Sequence, residues 1–339
     1  MADTSKHRIP AAAGAVAAGG AIAAGKLVRD RVAQRSGKRR ERAYRLQPDE
    51  TPAEGIRRIA RGQIDLARDQ LAGNGESDVG DAVHEARKAF KRLRALLRLA
   101  RDELGDRVYR RENATFRAAG RVLSDVRDSA VLVETLDAIT TRYADELPRG
   151  AFGGLREALA AEAQAAHDAL ENGRGAVDRV QATLDTARGR VARWPLPDDG
   201  DLAALQPGFK RVYRRGRRAL RAADDEGGTE RLHELRKRAK DLWHAAQVLR
   251  PADPKTFKRL GRRAHDLSDL VGEDHDLAVL LDAARERHGT LARGERELLV
   301  ALVGRRRAEL QRAALARGRK VYARRPRKLA KLIRGAPAR

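Results

Sequence analysis

A ten-residue segment of this 339-residue chain occurs twice. His84-Glu85-Ala86-Arg87-Lys88-Ala89-Phe90-Lys91-Arg92-Leu93 returns 149 residues later as His233-Glu234-Leu235-Arg236-Lys237-Arg238-Ala239-Lys240-Asp241-Leu242, with six of ten positions identical. On a helix, residues at i, i+3, i+4 and i+7 share one face. His84, Arg87, Lys88 and Lys91 therefore project together, within an arc of about 100°, and so do His233, Arg236, Lys237 and Lys240. The opposite faces are apolar. Val83, Ala86, Phe90, Leu93, Leu97, Ala100 and Leu104 step by three and four in the first copy. Leu232, Leu235, Ala239, Leu242, Ala246 and Leu249 do so in the second. Each is a core stripe of the bundle type.

A solvated helix face ordinarily mixes signs, with acids four residues from bases. Here like charges sit together, and the arrangement recurs, which a purely structural face does not require. Two such faces brought together make a pocket with at least six fixed cations and two titratable imidazoles. That pocket suits a long or large, strongly anionic ligand. The whole chain leans the same way: 72 Lys and Arg against 48 Asp and Glu, a net charge of +24, which favours anionic partners and salt-sensitive binding. Aromatics are 4% of residues, too few for stacking platforms on single-stranded nucleic acid. There is no cysteine, hence neither a disulfide framework nor a thiolate metal site. Ala, Arg, Leu, Asp and Glu dominate and β-branched residues are sparse, so an all-α chain is expected.

Residues 1–45 read as a basic, Ala/Gly-rich tail. The run from Ile9 to Val28, with basic residues on both sides, has a membrane anchor or a cleaved signal as its alternatives, but Ala and Gly add little to insertion. Folding is expected to begin at Thr51-Pro52-Ala53-Glu54, a capping box with Pro at the first helical position. Further helices are expected through 78–103, 106–123 and from 128. A first half thus spans 52–193. Trp194-Pro195-Leu196-Pro197-Asp198-Asp199-Gly200 reads as a linker, and a second half spans 201–335. There Thr229 is expected to cap the second repeat helix, and separate helices follow around Leu260–Val271, Leu277–Leu280, Leu291–Leu315 and Lys320–Ile333. A second pair of segments matches at almost the same offset: Val122-Leu123-Ser124-Asp125-Val126-Arg127-Asp128 against Leu270-Val271-Gly272-Glu273-Asp274-His275-Asp276. Asp128 and Asp276 are positioned as N-caps, with Arg127 and His275 one residue earlier, able to join the basic face.

These residues resemble the CHAD family, the conserved histidine α-helical domain. The resemblance rests on His84-x-x-Arg87-x-x-x-Lys91-Arg92-Leu93-Arg94, Phe116-Arg117, Arg127-Asp128, Tyr213-Arg214-Arg215-Gly216-Arg217-Arg218, His233-x-x-Arg236-Lys237-x-x-Lys240, Val271-Gly272-Glu273-Asp274-His275-Asp276 and Gly318-Arg319-Lys320-Val321-Tyr322, and it covers about residues 52–335. It implies two pseudo-symmetric helical bundles with a basic channel between them. It also implies non-catalytic binding of inorganic polyphosphate in the cytoplasm, for several members on polyphosphate granules. Two positions depart from the first copy: Asp241 stands opposite Arg92 and Trp243 opposite Arg94. The second half-site is therefore expected to be less basic or to carry an aromatic wall, with His244 on the same face as partial compensation.

Polyphosphate needs only spaced cations and donors: Arg chelates two oxygens and Lys acts as a point charge. Arg94, Arg98, Arg117 and Arg121 extend the first set; Arg214, Arg218, Arg262 and Arg263 extend the second; Arg306 and Lys320 are late contributors. Two other classes compete. A metal-dependent phosphohydrolase would use His265-Asp266 and His275-Asp276, but Arg and Lys beside each repeated His repel a metal ion, and no metal or cofactor is expected. A nucleic-acid-binding protein lacks any visible recognition motif, so only non-specific contact with nucleic acid is expected. Because an imidazole titrates near 6.5, binding of a polyanion is expected to take up protons and to strengthen from about pH 8 to 6.

Overall fold

The computed structural model describes residues 42–73, 79–123, 125–172 and 174–334, apart from the side chains of 79, 125–128, 170–172 and 174. Residues 1–44 form one unit and Arg45 to Arg339 another. The expected tail, with its Ala/Gly run, lies outside the described residues except for its last four. Among the described residues there is no strand, and no helix is long and apolar enough to cross a membrane.

The second unit is all-α. Its helices are α1 (Pro52–Leu71), α2 (Val79–Leu99), α3 (Arg101–Val122), α4 (Asp125–Arg142), α5 (Gly153–Asn172), α6 (Arg174–Val191), α7 (Gln206–Asp225), α8 (Thr229–Val248), α9 (Pro254–Glu286), α10 (Arg293–Val321) and α11 (Pro326–Ala330). Thr51 opens α1 through the expected capping box: its hydroxyl accepts from the Glu54 amide at 3.2 Å and Glu54 returns to the Thr51 amide at 2.8 Å. The two repeat segments lie on α2 and α8, and both apolar stripes are buried throughout, from Val83 to Leu104 and from Leu232 to Leu249. Each fully buried leucine contributes about 1.5–3 kcal/mol, so these stripes hold the repeat helices in phase.

Helices α2 and α8 pack against each other and both pack against α7. Gly208, in the first turn of α7, makes that junction: a Cβ there would lie 1.8 Å from the Leu99 carbonyl oxygen at the end of α2. One core gathers Leu132, Leu136 and Ile139 of α4 with Phe152, Leu155 and Leu159, and with Leu280 of α9 and Leu299, Val303 and Leu310 of α10. Helices from before and after the Trp194–Gly200 segment therefore share a core. That segment is itself tied to α1. Trp194 is buried, and Arg57 donates to the Trp194 and Leu196 carbonyls at 3.0 and 3.1 Å and pairs with Asp198 at 2.6 Å.

Five local expectations need correction. The third helix starts at Arg101 rather than Asp106, with a kink at Gly105, where φ is +71°. Thr229 is the first residue of α8 and not its cap; its hydroxyl accepts from Arg307 at 2.9 Å. Residues expected as two helices around Leu260–Val271 and Leu277–Leu280 form the single 33-residue α9, so Asp276 lies mid-helix and caps nothing. Asp128 likewise lies inside α4. At the end of the chain α10 runs through Lys320 to Val321, and Pro326 opens a final helix of only five residues.

Candidate polyanion site

A cavity of about 800 Å³ lies between the two repeat helices. Helix α2 gives it His84, Arg87, Lys91, Arg94 and Arg98, one residue per turn along a single stripe. Arg117 comes from α3. Helix α8 gives His233, Arg236, Lys237, Arg238, Lys240 and His244, together with Glu234 and Asp241. His275, Asp276 and Val279 of α9 and Val131 and Leu132 of α4 complete the wall. Nine fixed cations and four imidazoles thus face three carboxylates, a positive excess in partly desolvated surroundings, where Coulomb terms are strong.

Each carboxylate is already engaged. Glu234 accepts from Arg238 at 2.7 Å. Asp241 accepts from Arg98 at 3.0 Å and from Arg238 at 2.8 Å. Asp276, released from its expected capping role, pairs with Arg236 at 3.6 Å. The Arg236 guanidinium lies on Gly272, where a Cβ would stand 3.1 Å from it. Glycine here lets α9 run on unbroken beneath the arginine. The Arg236 Nε is buried and makes no hydrogen bond to any described residue.

Crowding of like charges shows in the titration of these groups. His233 and His275 lie with ring centroids 4.4 Å apart and planes tilted by 39°, and each has its Nδ1 buried without a hydrogen bond among the described residues. Burial, then the neighbouring His275, Lys237 and Arg236, depress His233 to about 4. Burial and Arg236 lower His275 as well. Lys240 falls to about 8 through burial and then Arg236. Arg94, which donates to Asn113 at 3.1 Å, falls to about 10 through burial and then Arg98. The cavity holds its cations at a cost that a bound anion would relieve.

Of the residues singled out from sequence, His84, Arg87, Lys91, Arg94, Arg98, Arg117, His233, Arg236, Lys237, Lys240 and His275 meet in this cavity. Lys88 does not line it: Glu85, three residues earlier, holds its ammonium at 2.7 Å. Arg306 is also absent from the wall, pairing with Glu273 at 2.7 Å and Glu309 at 3.0 Å. Arg121, Arg214, Arg218, Arg262 and Lys320 are exposed away from the wall, and Arg263 does not reach it. The Arg127 side chain lies outside the described residues. Trp243 forms no part of the wall either; it stacks on His244 with centroids at 4.6 Å and meets the tilted His265 ring at 4.0 Å. Sequence reasoning missed Arg238. It falls outside the arc of the repeated motif, and the acid at i−4, Glu234, marks it as an ordinary helix pair.

A model of the CHAD domain matches residues 58–285. The chain belongs to the CHAD domain family. Among solved structures it is similar to the CHAD domain from the plant Ricinus communis, at 18% identity and a TM-score of 0.56, covering 81% of this chain and 94% of that one. That likeness carries the all-α fold. No curated protein matches the chain.

Proposed function

We propose that the chain binds inorganic polyphosphate along the basic cavity and does not turn it over. The family is known for polyphosphate binding. The observation that carries the reading for this chain is the meeting of both repeat helices on one wall, nine Arg and Lys side chains deep. A polyanion that spans the wall makes many contacts for one association cost. Arginines supply paired donors to phosphate oxygens, and lysines supply point charge. The three carboxylates of the wall are each bonded to arginine, which leaves them poorly placed to hold a divalent cation for hydrolysis. Among the described residues no group of three or more His, Asp or Glu side chains comes together as a metal site. Retention on polyphosphate granules would be the same interaction used for localisation.

Calorimetric titration with polyphosphates of defined length, at two salt concentrations, tests this reading. Long chains should bind well above orthophosphate and above duplex DNA of equal phosphate content, with affinity falling as salt rises. Equal binding of DNA at physiological salt would reduce the protein to a generic polycation. Divalent-metal-dependent phosphate release, lost in His233→Ala, would overturn binding without turnover.

A further inference from the structure

The basic cavity is closed at one place by a single ion-pair cluster. Asp241 is 8% exposed; one carboxylate oxygen takes Nη1 of Arg98 from α2 at 3.0 Å, and the other takes Nη1 of Arg238 from α8 at 2.8 Å. Behind this cluster lies a crevice of about 10 Å³, lined by Arg98, Arg101, Arg211, Arg215, Tyr109, Val212 and Asp241. Room of that size admits about one water. The two spaces have only Arg98 and Asp241 in common, so their salt bridge is the partition.

The charges behind the partition are uneven in their pairing. Arg101 is held by Asp106 at 2.8 Å and Arg211 by Asp102 at 2.9 Å. Arg215, half-buried on α7, makes no hydrogen bond or salt bridge to any described residue. An unpaired guanidinium behind the cluster is a place where a polyanion would continue if the clamp on Asp241 loosened and Arg98 swung aside to make room for a phosphate. The first repeat carries Arg92 at the position of Asp241, so the barrier belongs to the second copy alone.

We infer that Asp241 sets how much of a polyanion chain the site accepts: its carboxylate, clamped between Arg98 and Arg238, stops the chain short of Arg215. This rests on the reading of the cavity as a polyphosphate site. A phosphate approaching the partition meets a negative charge whose two flanking arginines are already engaged. Its advance would require desolvated like charges to approach, which is unfavourable. The bound segment therefore ends at the partition, and the site is a blind one on that side.

The inference is tested by titrating sodium polyphosphates of a graded series of lengths into the parent, Asp241→Asn, Arg215→Gln and the double variant, with thermal unfolding as the check on folding. In the parent, affinity should rise with length and then level. Asp241→Asn keeps an oxygen for one guanidinium and removes the charge. Levelling should then move to longer chains, with a gain of about tenfold or more for long chains and about twofold or less for short ones. Arg215→Gln should leave the parent within about twofold and cancel the gain in the double variant. An equal gain at every length would reduce Asp241 to one unit of charge and overturn the inference. So would a tenfold loss in Arg215→Gln alone, a measurement that stands even if Asp241→Asn fails to fold. A parent that binds no polyphosphate of any length overturns the underlying reading instead.

Discussion

The two copies of the repeated motif build unlike halves of one wall. Helix α2 presents a stripe of fixed charge: after His84 come Arg87, Lys91, Arg94 and Arg98. At the positions of Arg94 and Arg98, helix α8 carries Trp243 and Gln247, and neither lines the cavity. It brings instead a close imidazole pair with α9, a buried His244, a lysine lowered to about 8 and the Asp241 clamp. The repeated segment thus turns different residues toward the cavity in its two copies. On this reading α2 provides a longer run of arginine and lysine, while α8 adds to its own arginines groups whose charge depends on what is bound.

The strongest way to test that division is to remove one arginine from each copy. Hydrogen bonds to charged groups are worth about 1.5–3 kcal/mol each. Arg87→Ala with Arg236→Ala should therefore weaken polyphosphate binding by about two to four orders of magnitude, and at every pH. The slope of log affinity against log salt should fall by roughly 1.4, about 0.7 per lost contact on a single-stranded polyanion. Both readouts come from one calorimetric series. If the single variants differ by more than the double loses overall, the two half-sites do not share a ligand.

Much of this wall was legible in the sequence, because helical phase alone brings residues at i, i+3 and i+7 together. His84, Arg87 and Lys91 meet in the cavity for that reason, as do His233, Arg236 and Lys240. The misplacements have equally local causes. Lys88 shares the phase but is held by Glu85, a residue the repeat pattern treats as neutral to the site. Asp276 matches Asp128 and reads as a cap, yet Gly272, four residues earlier, takes the Arg236 guanidinium against it and the helix continues. The sequence points to Arg214 and Arg218, whereas α7 turns Arg215 inward. Such a choice depends on the rotation of α7 against α2 and α8, set by close approaches like that at Gly208, which no single-helix pattern encodes. The partition at Asp241 needed three helices in place before it had meaning.

A smaller effect separates the copies by pH. Empty, the His233–His275 pair is neutral near pH 7, since burial and the facing Lys237 and Arg236 outweigh Glu234 for His233, and outweigh Asp274 and Asp276 for His275. A folded-state value depressed below the ordinary 6.5 costs the empty protein stability as pH falls through 6.5 toward 4. A bound polyanion reverses this by favouring the cations, so binding takes up protons. Affinity should climb as pH falls from about 6.5 toward 4, by about tenfold for each unit that the ligand raises a histidine. Lys240, near 8 when empty, adds a separate loss of affinity above that pH. The rise thus lies lower than the pH 8 to 6 window expected from unperturbed imidazoles, with a flatter stretch between the two limbs. His233→Gln with His275→Gln should abolish the acid limb and spare the alkaline one. An acid limb of undiminished steepness in that variant would mean that some other group titrates.

The smallest expected effect concerns the residue that most visibly distinguishes the copies. Trp243 replaces the cavity-lining Arg94, and by sequence it points to a less basic half-site or to an aromatic wall. Its indole instead lies between His244 and His265, outside the cavity. The imidazole of His244 reaches the wall, and burial followed by Arg92 holds it at about 3, an uncharged surface at any pH of interest. Trp243 therefore acts on the site only through the position of His244. Trp243→Phe keeps an aromatic ring against that imidazole and should change polyphosphate affinity by less than about twofold, while thermal unfolding moves slightly downward as buried area is lost. A tenfold loss of affinity with unchanged stability would place the indole against the ligand, and the second half-site would then owe its character to stacking rather than to titratable charge.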